Sequence, residues 1–322
     1  MIAAVESRMA WRKRVEGRFL GSFLDIVEDH VVYKLRRERI PGIVCLNAKG
    51  RTAWDREFEF NEIGIFFPYG RDLYVEGTKA RRLSVESGET VTERDFGERV
   101  QVRPPIASGP VYILGDLGQD KALTGLHPET LETVWQWDDP DFMVHDTFLC
   151  RDIEGWIETV DLTTFAPRRV RCGERIGGVH GHHAGLWCQI SERERLGISL
   201  DTGEVVWRHR EAEDGFHGMG VGDVVFEGDR GYSGGRAVTA YDLSNGAILW
   251  RTSMPAPVGR LRLGEGRILA GSKGGMVYAL DTATGAVLVS HDLKAESLAI
   301  APLGANRIVV GTYKVIYCLE TS

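Results

Sequence analysis

A segment of about 40 residues that ends in tryptophan recurs along this chain, and no other feature limits the possible folds as much. The sequence LDTGEVVW at 200–207 returns as YDLSNGAILW at 241–250 and as ALDTATGAVLV at 279–289. In the last copy Val289 takes the tryptophan place. Trp11 and Trp54 are 43 positions apart, and so are Trp207 and Trp250. Such a period is typical of a unit of four short strands repeated along the chain.

Other copies of the repeat are less regular. CLNAKG at 45–50 leads to Trp54 and GLHPET at 125–130 leads to Trp135, whereas the copies at 84–92 and 160–169 have no tryptophan. An eighth repeat forms if the last strand, residues 314–320, joins the first strand, residues 9–15. Eight units are therefore favoured, and seven remain possible. The positions that end a repeat inside the chain are Trp54, Thr92, Trp135, Arg169, Trp207, Trp250 and Val289.

Each period divides into short apolar runs bounded by glycine or aspartate, which predicts strands joined by tight turns. Between Trp207 and Trp250 we expect strands at Gly215–Val221, Val224–Gly228 and Ala237–Leu243, with a glycine turn at 231–235. The chain contains 39 glycines in 322 residues, an excess that fits many turns. No segment keeps the spacing of an amphipathic helix for more than a couple of turns. The sequence therefore predicts an all-β fold.

The consensus of the repeat, an apolar residue followed by x-A-L-D-x-x-T-G-x-x-x-W, resembles the tryptophan-docking repeats of PQQ-type β-propellers. That superfamily includes quinoprotein dehydrogenases and propeller lipoproteins of outer-membrane assembly. The resemblance covers essentially the whole chain and is most specific at Asp201–Trp207. It implies a single β-propeller of four-stranded blades, in which each repeat tryptophan lies on the outermost strand and packs toward the next blade. We expect this structural role for Trp11, Trp54, Trp135, Trp207 and Trp250.

A propeller loses its sheet edges only when its ring closes, so the two ends of the chain should pair. We expect residues 1–17 to supply the outer strand of the last blade and residues 292–322 its three inner strands. Residues 18–291 would then form the other seven blades. The whole chain is a single domain in this scheme.

Composition and charge exclude several classes of function. The net charge is −7 and the pI about 5.8, which argues against a nucleic-acid binder, since such a protein needs a basic surface. Residues 1–14 do not resemble a signal peptide, and no apolar run reaches the length of a membrane helix. The five cysteines are scattered without a CxxC pair, as in reduced intracellular proteins. We expect a cytoplasmic monomer with no membrane contact.

Positive charge is concentrated in two runs of the sequence, Arg8–Arg18 and Lys34–Arg39. One interpretation is a binding site for an anionic partner. The favoured interpretation is that outer strands carry charges that discourage edge-to-edge pairing. Other outer strands carry charges of mixed sign in the same way, for example at 55–57 and 93–95.

The resemblance also raises the question of quinoprotein chemistry. PQQ enzymes carry a vicinal cysteine pair, a calcium site of glutamate and asparagine oxygens and a catalytic aspartate, and no residues of this chain match them. The sequence also has no GxSxG, HExxH or Walker motif. We therefore expect no PQQ, no other organic cofactor and no dehydrogenase activity, and leave open whether the protein is an enzyme at all.

The first of two function hypotheses is a non-catalytic propeller that binds a protein partner as a scaffold, a regulator or an immunity-type inhibitor. Aromatic residues are common anchors of protein interfaces. Candidate anchors are the run Phe66–Tyr69 and the group Trp135, Trp137 and Phe142.

The second hypothesis is a metal-dependent lyase or hydrolase, and it rests on histidines. His180 and His182 lie in GVHGHHAG, His217 in the GFHGMG of the next period, and His145 in the MVHD of the preceding one. If all three segments are first strands, their imidazoles meet beside the central channel, where three histidines could hold a divalent transition metal with an open position. His183 would face away from the channel. Asp146 or Glu174 could orient a ligand.

Overall fold

The computed structural model describes residues 5–59, 66–75, 77–97, 100–103, 111–115, 123–137, 143–145, 148–153, 156–161, 167–171, 179–183, 186–190, 194–199, 204–210, 224–227 and 230–321. In these ranges the secondary structure consists of strands, turns and bends. No helix in the described part of the chain could cross a membrane.

The strands form eight sheets, and consecutive strands within a sheet pair antiparallel. The chain begins with β1 (Val5–Glu6) and β2 (Arg8–Arg14). Sheet 1 contains β3 (Arg18–Val27), β4 (His30–Arg37), β5 (Ile40–Leu46) and β6 (Thr52–Glu57). Sheet 2 contains β7 (Phe66–Tyr69), β8 (Asp72–Val75), β9 (Lys79–Ser84) and β10 (Thr90–Asp95). Sheet 3 contains β11 (Val100–Arg103), β12 (Val111–Gly115), β13 (Leu123–Leu126) and β14 (Thr133–Trp137).

The remaining sheets follow in chain order. Sheet 4 contains β15 (Met143–His145), β16 (Phe148–Ile153), β17 (Trp156–Asp161) and β18 (Pro167–Arg171). Sheet 5 contains β19 (Val179–His183), β20 (Leu186–Ile190), β21 (Glu194–Ser199) and β22 (Val205–Arg210). Sheet 6 contains β23 (Val224–Glu227), β24 (Arg230–Ser233), β25 (Ala237–Asp242) and β26 (Ile248–Ser253). Sheet 7 contains β27 (Val258–Gly264), β28 (Arg267–Ser272), β29 (Met276–Asp281) and β30 (Val287–Asp292). Sheet 8 contains β31 (Ala299–Pro302), β32 (Arg307–Gly311) and β33 (Val315–Glu320), to which β2 adds.

Burial along the strands explains their order within a sheet. The third strands β5 and β25 are buried at nearly every position, because both of their faces are covered by neighbouring sheets. The fourth strands β6, β10 and β26 instead alternate between exposed and half-buried residues. Such strands have one covered face and one face toward solvent. The apolar core accordingly lies between sheets, as in the cluster shared by sheets 8 and 1 around Phe19, Val44 and Val309.

The sheets follow one another around a ring, with their first strands on the inside. Contacts between first strands link β19 to β23, β23 to β27, β27 to β31, β31 to β3 and β3 to β7. The positions predicted to end a repeat all fall on fourth strands, from Trp54 on β6 to Val289 on β30. The propeller fold predicted from the repeat is confirmed.

Ring closure by the two ends of the chain is also confirmed. β2 pairs antiparallel with β33, with Arg8 opposite Glu320 and Trp11 opposite Cys318. In addition, β1 pairs parallel with β30, so that Val5 lies opposite Val289. The N-terminal segment therefore covers the outer edge of sheet 7 before it becomes the outer strand of sheet 8.

Four repeat tryptophans, Trp11, Trp54, Trp207 and Trp250, connect their sheets to the next one. The indole Nε1 of Trp207 donates to the carbonyl of Leu243 at 2.7 Å, and that of Trp250 donates to the carbonyl of Thr282 at 3.0 Å. A Cβ on Gly246 would lie 2.6 Å from the Trp207 ring, and φ of this glycine is +73°. Only glycine combines this backbone conformation with so close an approach of the ring. Trp54 and Trp11 make the same contacts with the next turns, which confirms their structural role.

The third strand offers each of these tryptophans a small residue as its cross-strand partner. Cys45 lies opposite Trp54, Cys318 opposite Trp11, and Ala240 opposite Trp250. Both cysteines are free and buried, and burial raises the pKa of the Cys45 thiol to about 12 and of the Cys318 thiol to about 11. These two thiols act as small core residues.

The strand assignment predicted for sheet 6 was wrong in one respect. Val224–Gly228 was expected as the second strand, but β23 (Val224–Glu227) takes the first place and β24 (Arg230–Ser233) the second. The glycines around Ser233 suggested a turn, whereas Tyr232 is fully buried and Gly234 packs close to the Val258 carbonyl. Here glycine permits a close backbone approach between sheets 6 and 7 as well as a turn. The segment Gly215–Val221 lies outside the described residues.

Candidate functional site

The backbone places two parts of the predicted histidine set on neighbouring first strands. His145 ends β15, the first strand of sheet 4, and His180 and His182 lie on β19, the first strand of sheet 5. The pairing of β19 with β20 changes register between Val179 and His182, so the regular alternation expected for His180 and His182 is interrupted there. The side chains of these three histidines and of His183 lie outside what the structure describes.

The equivalence predicted between His217 and His180 stays a prediction. It places residues 215–221 on a first strand, whereas the first strand described in sheet 6 is β23, which begins at Val224. His217 itself, like Asp146 and Glu174, lies outside the described residues. In the described part of the chain no group of three or more histidine, cysteine or acidic side chains is arranged to hold a metal ion. A metal site at His145, His180, His182 and His217 stays a prediction.

The inner side of the ring instead holds a carboxyl group that sequence reasoning missed. Asp25 lies on β3 and Arg262 on β27, the first strands of sheets 1 and 7, with β31 of sheet 8 between them. Burial raises the pKa of the Asp25 carboxyl, and the Ile26 N–H and the Arg262 charge oppose that rise. A single carboxylate in the apolar run FLDIV was the signal that could have drawn attention to Asp25.

The aromatic run at 66–69 contributes to the core. Phe66 and Phe67 are each only 5% exposed. The Phe67 ring stacks on Tyr74 with centroids 5.4 Å apart, and Tyr69 packs edge-on against the same ring. Phe66 and Phe67 are therefore core residues and not the exposed anchors that were predicted, whereas Pro68 and Tyr69 are half-buried. Trp135 is half-buried, and the side chains of Trp137 and Phe142 lie outside the described residues.

The connections between strands form two opposite surfaces of the ring. Because strands alternate in direction, turns between first and second and between third and fourth strands share one face, which we call the repeat-turn face. Turns between second and third strands and links between sheets share the other, which we call the linker face. The repeat-turn face carries the D-x-x-T-G segments, for example Asp281–Gly285, and the linker face carries Glu38–Arg39 and the link at 293–298.

Side chains of the repeat turns are fixed by local hydrogen bonds. Asp242 accepts from the backbone N–H of Ser244 at 2.8 Å, and Asp281 accepts from that of Thr284 at 2.7 Å. The neighbouring hydroxyls, foremost that of Ser244, lower the pKa of Asp242, and the Thr284 hydroxyl does the same for Asp281. The repeat-turn face is therefore a rigid display of short polar turns.

The basic runs are partly neutralised. Arg8 pairs with Glu320 across the closing strands at 3.0 Å, and Arg37 pairs with Asp55 and Glu57 of the same sheet. Lys34 is buried on β4. These residues fit the favoured interpretation, in which the charges belong to the strands themselves.

Sheets of four antiparallel strands, a closed ring and tryptophans docked on the next repeat turn define the class of protein. The chain is a β-propeller of tryptophan-docking repeats.

Comparisons with known proteins agree with this class. Residues 192–315 match the family of the outer membrane protein assembly factor BamB. The BamB of Bordetella pertussis is 34% identical to this chain over 95 residues, which are 27% of this chain and 23% of that relative. The match therefore spans about a quarter of the relative's length.

Likeness to solved structures covers nearly the whole chain. The crystal structure of BamB from Moraxella catarrhalis superposes with a TM-score of 0.63 at 14% identity, over 98% of this chain and 99% of that one. Quinohemoprotein alcohol dehydrogenase from Comamonas testosteroni superposes with a TM-score of 0.68 at 11% identity, over 98% of this chain and 76% of that one. At such identities the likeness establishes the fold alone.

Proposed function

We propose that this propeller is a non-catalytic module that binds a protein partner through the turns on one of its faces. The observation that carries the proposal is the match of residues 192–315 to an assembly-factor family, together with a fold shared with BamB over the whole chain. An assembly factor acts on other proteins, and the same task suits this chain. Fold likeness alone would be a weak argument, since propellers serve many functions.

The construction of the ring supports this role. Tryptophans tied to the next turn and a pairing of the two chain ends hold the sheets together, so the turns are displayed on a rigid frame. A preorganised surface binds with a smaller loss of conformational entropy than a flexible one. In this proposal the protein acts in the cytoplasm as a scaffold, a regulator or an immunity-type inhibitor.

The test is site-specific photo-cross-linking in cells that express the full-length chain. The cross-linker replaces Ser244 or Glu265 on the repeat-turn face and Glu38 or Lys294 on the linker face, all of them exposed. Arg251, exposed on the outer strand β26, provides a control position on the rim.

We expect one discrete protein adduct from positions on one face, and none from the other face or from the rim. An absence of adducts at all four face positions would overturn the proposal. Equal labelling of many proteins from every position, including Arg251, would also contradict it, because a specific partner contacts one surface. Mass spectrometry of the adduct identifies the partner, and cell fractionation of the adduct tests its location.

A further inference from the structure

Three segments meet where the two ends of the chain close the ring. The Val15 N–H donates to the Lys314 carbonyl at 2.8 Å, which joins the link after β2 to the turn before β33. A Cβ on Gly17 would lie 2.8 Å from the Arg36 carbonyl oxygen, and the Arg37 Nε donates to the Glu16 carbonyl at 3.2 Å. Residues 14–18, 36–40 and 313–314 therefore form one continuous surface, which we call the seam. It lies on the linker face.

The seam concentrates positive charge that the other described residues do not neutralise. The side chains of five of its cations make no hydrogen bond and no ion pair within the described residues, whereas the Arg37 side chain is held by Asp55 and Glu57. The five are Arg14, Arg18, Arg36, Arg39 and Lys314. The acidic residues of the seam are Glu16 and Glu38. The seam is thus a basic patch on a protein whose net charge is −7.

One pair of these cations lowers the stability of the fold. Arg18 on β3 lies directly opposite Arg36 on β4. Like charges at directly opposed positions of an antiparallel pair destabilise it. A protein that folded for stability alone would place an acidic residue at one of these positions, as it does for Arg8 and Glu320. The arrangement points to an anionic group that binds both arginines.

Two exposed apolar side chains accompany the charges. Ile40 is 47% exposed at the start of β5, and Tyr313 is 49% exposed in the turn before β33. Tyrosine and arginine are the residue types most often found as binding anchors of protein interfaces. The seam therefore combines unpaired cations with apolar anchors.

We propose that the seam binds an acidic segment of a protein partner, one that carries an apolar or aromatic side chain among its carboxylates. This inference rests on the proposed function and names the surface and the kind of partner that it uses. Carboxylates satisfy the unpaired arginines by charge-assisted hydrogen bonds. A nucleic acid fits less well, because the negative net charge repels a long polyanion and apolar anchors contribute little to phosphate binding.

The first experiment uses a short fluorescein-labelled peptide of aspartate and glutamate with one leucine and one phenylalanine, titrated with the full chain while anisotropy is recorded. The seam variant Arg18→Glu with Lys314→Glu is compared with the control Arg236→Glu with Arg251→Glu, which changes the net charge equally at exposed positions away from the seam. We expect the seam variant to bind about tenfold more weakly, since two exposed charge pairs are lost, and the control to bind like the unaltered chain.

Thermal unfolding shows whether the seam variant is folded. Arg18→Glu places opposite charges at the Arg18 and Arg36 positions, so we expect its melting temperature to be equal to or above that of the unaltered chain. Weaker peptide binding with unchanged or raised stability would support a surface kept for binding.

Three outcomes would overturn the inference. They are equal weakening by the seam and control variants, no binding of the peptide by the unaltered chain, and tighter binding of an oligonucleotide or an anionic lipid vesicle than of the peptide. The photo-cross-links separate this inference from the proposed function. Adducts at Ser244 or Glu265 that persist in the seam variant would reject the seam and keep the binding function, whereas adducts at no face position would reject both.

Discussion

The junction between sheets 5 and 6 and the junction between sheets 2 and 3 solve one structural problem with different residues. In the first, Trp207 is 7% exposed, donates to the Leu243 carbonyl and packs on Gly246. In the second, Thr92 stands in the tryptophan place and Leu131 in the glycine place. Leu131 keeps the positive φ of the glycine, at 59°, and its side chain is fully buried.

The less regular junction shares one set of contacts with the junction between sheets 1 and 2, since Arg94 matches Arg56, which donates to the Gly88 carbonyl and the Thr90 hydroxyl and stacks over Phe58. The Arg94 guanidinium donates to the Leu131 carbonyl and the Thr133 hydroxyl, each at 2.9 Å, and stacks over the Phe96 ring. The Thr92 hydroxyl donates to the Glu129 carbonyl at 3.2 Å. Tryptophan and glycine are thus exchanged together, because an indole cannot occupy the space that the Leu131 side chain fills. The unit that varies is the pair across the junction and not the single repeat.

The junction between sheets 7 and 8 completes the comparison. Val289 stands in the tryptophan place of β30, and β1 lies beside it, with Val5 opposite Val289. Ser7 and His291 then form a hydrogen bond of 2.9 Å across the closure. At this junction the N-terminal segment therefore supplies contacts beside the residue that replaces tryptophan.

Removal of residues 1–15 tests the closing junction and has the largest expected effect. Without β2 the outer edge of β33 is open and Cys318 loses the cover of Trp11, so we expect loss of the cooperative melting transition and aggregation. Circular dichroism on heating and size-exclusion chromatography measure this. A shorter deletion of residues 1–6 removes only β1 and should stay soluble. A 1–15 deletion that melts like the full chain would disprove closure.

The substitution Trp207→Ala tests the regular junction against the less regular one. It removes a buried indole and leaves the Leu243 carbonyl without its donor, so it should lower the free energy of unfolding by about 3–5 kcal/mol. Thr92→Ala at the other junction removes one hydrogen bond and should cost about 1 kcal/mol or less. Urea denaturation compares the two. Equal losses would show that both junctions depend equally on the tryptophan place.

Exchange of the pair at the less regular junction tests whether the two places are coupled. Thr92→Trp alone should destabilise by about 1–3 kcal/mol through overpacking against Leu131. Leu131→Gly alone should also destabilise, since it empties a buried site. The double variant should be more stable than the sum of its single variants by about 1–2 kcal/mol. Strict additivity in urea denaturation would mean that residues 92 and 131 vary independently.

The smallest of the expected effects concerns acid. The repeat turns differ in how much they contribute to the stability of the fold at low pH. The pKa of Asp242 is lower in the folded chain than its ordinary value of 3.8, so its carboxylate stabilises the fold above that value and stops doing so as the pH falls below it. Ser84 accepts the Ser87 N–H in the equivalent turn and does not titrate. Asp242→Asn should reduce the fall in melting temperature below about pH 4, whereas Ser84→Ala should leave it unchanged. Identical acid profiles of the two variants would contradict this.

The repeat by itself determined much of this protein. A tryptophan every 40 or so residues can be buried only if each unit packs on the next, and a ring can lose its edges only by joining its ends. Fold class, the strands that carry the repeat-ending residues and the pairing of residues 8–14 with 315–320 followed from that.

Only the tertiary structure shows which residues from distant parts of the chain come into contact. The residue that compensates for Thr92 is Leu131, one period away, and the cations of the seam come from residues near both ends of the chain. The glycine run around Tyr232 suggested a turn, but Gly231 lies on β24 and only Gly234 and Gly235 lie in the connection that follows it. Such features depend on which residues meet after the ring closes, because contact in three dimensions and not distance along the chain sets packing and charge.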